Sequence, residues 1–124
     1  MITYAYVDNY LHVTPSKEIN YLDLVDFLMD FSKMEALPDE VKVLFDLRNA
    51  HLDLHLDDIN KLSSLAEELT KNVQSIRTAF IVEDPKVTAY TMLYSWMPKD
   101  DRLLREHFST EQAAIEWLNK KERI

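Results

Sequence analysis

Two hydrophobic rhythms take turns along this 124-residue chain, a period of two and a period near 3.6. Residues 2–7 (Ile2-Thr3-Tyr4-Ala5-Tyr6-Val7) and 10–14 (Tyr10-Leu11-His12-Val13-Thr14) are aromatic and β-branched, which predicts two strands. Asp8-Asn9 between them tolerates the left-handed backbone of a tight hairpin, and Pro15 ends the second strand. Helical spacing follows at Tyr21, Leu24, Val25, Leu28 and Phe31. Asn20 is its predicted cap, Ile19 and Leu24 its hydrophobic staple, and its end falls near Lys33-Met34, before Leu37-Pro38. The apolar run 41–47 reads as a central strand. A second helix is predicted from an Asp57 cap, with Ile59, Leu62, Leu65, Ala66, Leu69 and Val73 as its core stripe. Residues 76–82 are the next buried strand. Asp84-Pro85 then opens a third helix that runs to about Trp96, before Pro98. A strand near 103–108 precedes a capping box of Ser109 with Gln112, and Ala114, Ile115 and Leu118 face the core from the last helix.

The order is ββαβαβαβα. It predicts one α/β domain over residues 1–124: a five-stranded mixed sheet, antiparallel in its N-terminal hairpin and then parallel through right-handed crossovers, packed with four helices.

Composition removes function classes rather than naming one. There is no cysteine, so disulfides, thiolate catalysis and cysteine-ligated zinc or iron–sulfur centres are excluded. There is no glycine either. Walker A loops, Rossmann fingerprints and the nucleophile elbow all need a residue without Cβ close to an anion or in a sharp turn, and all are missing. A net charge of −8 disfavours nucleic acid and anionic membranes as partners and keeps the chain soluble. The opening Met1-Ile2-Thr3-Tyr4 lacks a basic stretch leading into a long apolar run, and no stretch approaches a membrane span. A cytoplasmic location is expected, with no cofactor.

Asp46-Leu47-Arg48 closes the central strand, and the chain nears its end with Phe108-Ser109-Thr110-Glu111-Gln112-Ala113-Ala114-Ile115-Glu116-Trp117-Leu118. These segments and the element order resemble the SpoIIAA-like group of STAS-related proteins. The resemblance implies a mixed sheet packed with helices, akin to anti-anti-sigma factors and distantly to lipid-binding CRAL-TRIO domains. Phosphorylatable relatives carry an Asp-Ser-(Ser/Thr)-Gly motif after the central strand. Here Leu52-Asp53-Leu54-His55-Leu56-Asp57-Asp58 stands in that region, with neither hydroxyl nor glycine, so the phosphoswitch is not expected. Acidic Asp57 and Asp58 are accounted for by the helix dipole.

Three places hold candidate chemistry. In an extended loop His51, Asp53 and His55 share one face, a set able to hold zinc, nickel or iron; the plainer reading, preferred here, is a polar loop edge whose leucines enter the core. Asp46 and Arg48 sit where open α/β sheets place ligands, as a base and an anion contact or as an ordinary ion-paired strand end. On the third helix Val87, Tyr90, Leu93, Tyr94 and Met97 make one apolar stripe, and Met92 with Trp96 makes a second. Tyr90, Met92, Leu93 and Trp96 thus either pack the core or cover a partner, a second copy of the chain or an apolar ligand. The leading expectation is a non-enzymatic STAS-like module that binds a protein or itself as a homodimer. A carrier of a small apolar ligand or lipid comes second, and a metal-dependent enzyme using the His51/His55 loop third.

Overall fold

A computed structural model of the protein describes residues 2–97 and 100–120; Met1 and Pro98, which enter the expectations above, lie outside them. The chain runs β1 (Ile2–Val7), β2 (Tyr10–Pro15), β3 (Glu18–Asn20), α1 (Tyr21–Ser32), β4 (Glu40–Asp46), β5 (His51–Asp53), α2 (Leu56–Leu69), β6 (Ser75–Ile81), α3 (Pro85–Trp96), β7 (Leu103–Phe108) and α4 (Glu111–Leu118). Five strands form a sheet in the order β1-β2-β4-β6-β7. β1 and β2 are antiparallel and every later pair is parallel. The expected mixed sheet with four helices is therefore present. Asp8 takes φ 56° in the hairpin turn, as its side chain permits.

Each central strand is buried on both faces because helices cover both. Val41, Val43, Phe45, Ile76 and Phe80 join the core beneath α1, α2 and α3, while the alternate residues Leu44, Ala79 and Ile81 meet Ala114 and Leu118 of α4. Crossovers that all advance in one direction put α1–α3 on one side, and α4, following the last strand, closes the other. The ladder extends past the strand ends, with Leu47 N–H donating to the Ile81 carbonyl at 2.9 Å and Val82 N–H to that of Phe108 at 2.9 Å. The last carbonyls of α4 lack a basic residue of their own helix. Arg77 of β6 reaches them instead, its Nη1 3.0 Å from the Trp117 oxygen and 2.6 Å from that of Lys120.

Three local expectations are corrected. Glu18–Asn20 and His51–Asp53 form a small parallel two-stranded sheet, where the sequence pattern predicts no strand on the approach to the Ile19 staple and Asn20 cap and a loop over 51–55. The cap of α2 is His55 rather than Asp57: the Asp58 carboxylate accepts the His55 N–H at 3.0 Å, which starts the helix earlier and leaves Asp57 in its first turn. Thr110, not Ser109, caps α4 by accepting the Ala113 N–H at 3.2 Å, and Gln112 turns to Glu116 along the helix. A threonine hydroxyl serves as well as a serine here, so geometry decides between neighbours. Asn20 does cap α1, in a reciprocal box with Asp23.

Candidate functional site

Bulky rings dominate the sheet face under α1–α3. Phe27 of α1 meets Phe45 of β4 at 5.6 Å between centroids, Phe45 meets Phe80 of β6 at 5.7 Å, and Phe80 meets Tyr94 of α3 at 5.9 Å. Tyr4 on the edge strand β1 extends the row, 5.7 Å from Phe27. Large flat rings arriving from the sheet, α1 and α3 do not fill the layer completely. A partly open cavity of about 120 Å³ remains, bounded by Leu28 and Phe31, by Val43 and Phe45, by Leu52 and Leu54, by Leu62 and Ala66, and by Phe80 and Tyr90. Native interiors contain few voids larger than a water molecule. An engineered apolar cavity of about 150 Å³ stays dry and takes up benzene.

Most polar groups in the lining are already engaged with backbone. Thr70 Oγ1 donates to the Ala66 carbonyl at 2.6 Å, Thr91 Oγ1 to that of Thr88 at 2.9 Å, and the Tyr90 hydroxyl to that of Leu54 at 3.2 Å. Arg105 differs. It points from β7 into the helical side of the sheet, its guanidinium 3.8 Å above the Tyr94 ring. Its Nη1 donates to Ser63 Oγ at 3.0 Å and to the Tyr94 carbonyl at 2.9 Å. Burial pulls the Arg105 pKa below its ordinary value, against the opposing influence of Tyr94 and Glu67, and burial likewise raises that of the Tyr94 phenol.

On the opposite face, at the carboxyl end of β4, the Asp46–Arg48 pair forms a bidentate bridge, Nε to Oδ1 at 3.0 Å and Nη2 to Oδ2 at 2.8 Å. The Arg48 hydrogen bond holds the Asp46 carboxyl below the usual carboxylate range despite partial burial. Glu111 of α4 stands 3.7 Å from the same guanidinium. His12, Asp46 and Glu111 are the group among the described residues whose potential ligand atoms converge, within 4.8 Å of one another. Arg48 already supplies the positive charge these carboxylates need, so the arrangement reads as an ion-pair network.

The structure does not bring His51, Asp53 and His55 together as a ligand set of that kind. His51 and Asp53 are exposed on β5, His55 caps α2, and Leu52 and Leu54 between them are buried. Tyr90, Leu93 and Tyr94 of α3 and Met97 at its C-cap pack on the core; Trp96 is 70% exposed and Met92 half-buried on the outward side.

No family model matches the sequence, and no curated protein matches it. Among solved structures, the chain is similar to an uncharacterized protein of the DUF3478 family with a SpoIIAA-like fold from Shewanella loihica PV-4. The two share 18% identity over 95% of this chain and 92% of the other, with a TM-score of 0.57. The fold is SpoIIAA-like. Identity that low carries architecture and nothing finer, so the chemistry of the SpoIIAA-like scaffold here rests on its own side chains. Sequence reasoning placed Asp46 and Arg48 correctly at a strand end but missed their partners His12 and Glu111. It also missed Arg105, whose signal was readable: in the strand 103–108 it falls on the same face as buried Leu103, a cation at an inward position. Among the described residues no helix is long and apolar enough to cross a membrane.

Proposed function

We propose that this protein binds a small, largely apolar ligand in the cavity between α1–α3 and the sheet. The observation that carries the reading is the partly open cavity of about 120 Å³ against the main core, walled by aliphatic and aromatic side chains from both the helices and the sheet. An unfilled apolar space forfeits dispersion contacts that a ligand restores, so uptake of a fitting molecule is favourable without rearranging the fold. The reading favours a carrier or sensor over an enzyme, because the groups lining the space are mostly apolar or bonded to backbone. Titration with 1-hexanol, followed by amide chemical shifts, tests it. Saturable shifts confined to residues such as Phe45, Leu62 and Tyr90 are expected, and they should shrink in Ala66→Leu, which adds side chain to the cavity wall. Absence of saturable shifts in the wild type overturns the reading.

A second reading, the binding of a protein partner or a second copy, is favoured by one observation: Trp96 exposes 70% of its surface beside Met92 on the outward side of α3. Sedimentation velocity decides it. Met92→Glu with Trp96→Glu is expected to abolish any self-association of the wild type while preserving the fold, and unchanged association contradicts it.

A further inference from the structure

Arg105 stands out among the groups around the cavity. A guanidinium is always charged, and withdrawing it from water is costly unless a counter-charge or a full set of acceptors replaces the solvent. Among the described residues Arg105 forms no ion pair, and its two hydrogen bonds both leave from Nη1. Nε and Nη2 are left without a protein acceptor. No buried side-chain nitrogen or oxygen in these residues lacks a partner, so both atoms face space that water or a ligand can enter. The guanidinium is fixed in place by the Tyr94 ring beneath it and by Ser63 Oγ, buried on α2, which accepts from Nη1. The site is therefore a positioned donor fork beside an apolar chamber.

We infer that the ligand is an anionic amphiphile, a carboxylate whose charged end pairs with Arg105 and whose short hydrocarbon tail occupies the cavity. This rests on the ligand-binding reading above and adds the ligand's class. A carboxylate matches the guanidinium's planar fork, accepting from Nε and Nη2 in parallel. Much of the cost of desolvating the guanidinium is met when the protein folds, so the incoming anion meets a preorganised cation. A space somewhat smaller than the benzene-binding cavity limits the tail to roughly four to six carbons.

Calorimetric titration at neutral pH with hexanoate, 1-hexanol and hexylamine tests the inference on the wild-type protein. Hexanoate is expected to bind about tenfold or more tighter than 1-hexanol, through the charge-assisted pair, with hexylamine weakest. Arg105→Gln is expected to remove the hexanoate advantage and keep hexanol binding. If Arg105→Gln does not fold, the wild-type ranking decides alone. Equal binding of hexanoate and 1-hexanol overturns the Arg105 assignment and leaves the apolar cavity standing. Binding of none of the three overturns the cavity reading, and the inference with it.

Discussion

The two faces of the sheet are packed in different ways. Beneath α4, Leu44, Ala79, Ile81, Ala114 and Leu118 are all at 0% exposure. Two of these are alanines, one on the strand and one on the helix, and they let the short helix lie close to the sheet while leucine and isoleucine fill the remainder. The face under α1–α3 buries more side chains, yet it keeps a void of about 120 Å³ among Phe27, Phe45, Phe80 and Tyr94. α1 and α3 bring rings onto the sheet face beneath them, whereas α4 sets Ala114 against Ala79 where it crosses the sheet. Rings also flank the α4 side, where Tyr10 is buried and Phe108 meets Trp117 at 5.7 Å, but there they surround a close contact of small residues instead of a pocket.

That contrast can be broken by mutation. The largest effect is expected for Leu118→Ala, about 3 kcal/mol of lost stability in chemical denaturation, because the α4 side has no slack with which to collapse around the gap. Next comes a pair of additions. Ala79→Leu on the tight side should cost about 2 kcal/mol by overpacking, whereas Ala66→Leu at the cavity should be neutral or stabilising. Equal penalties for the two would erase the distinction. Ala36→Gly calibrates the scale outside both faces. Ala36 holds φ 59°, a conformation that disfavours residues with a Cβ, and relieving it should stabilise by about 1 kcal/mol, readable as a raised denaturation midpoint.

The smallest effect concerns acid. Asp46 titrates below its ordinary value in the folded state because of Arg48, so its contribution is complete above about pH 4 and is lost as pH falls through the lowered folded value. Arg48→Met should flatten the fall of stability in that acid window and leave its slope near neutrality unchanged. An unaltered acid limb would remove the pair from the account of the α4 side.

Most of the architecture was legible because it is written as periodicity. The apolar runs of β4 and β6 and the helical stripes of α1 and α2 are each long enough to be read without a structure. β3 and β5, at three residues each, are too short to show any period, and the backbone pairing that creates them lies between segments far apart in the chain. The caps at His55 and Thr110 fell one or two residues from their predicted places because several neighbouring side chains can accept the same amide, and the chain's path chooses among them. Asp46 and Arg48 were visible as a strand end, while His12 and Glu111 join them only through the fold. A cavity has no residue pattern at all. It is what the rings of Phe45 and Phe80 leave when their neighbours have been placed.

The sheet face beneath α1–α3 holds apolar space, and the close-packed contact beneath α4 is expected to hold none. A crystal of the protein pressurised with xenon tests it most directly, since xenon enters dry apolar voids and needs no polar partner. The expected result is a xenon site among Phe45, Leu62, Phe80 and Tyr90, with no site beneath α4. No xenon between the sheet and α1–α3, or xenon between Leu44 and Leu118, would contradict the account.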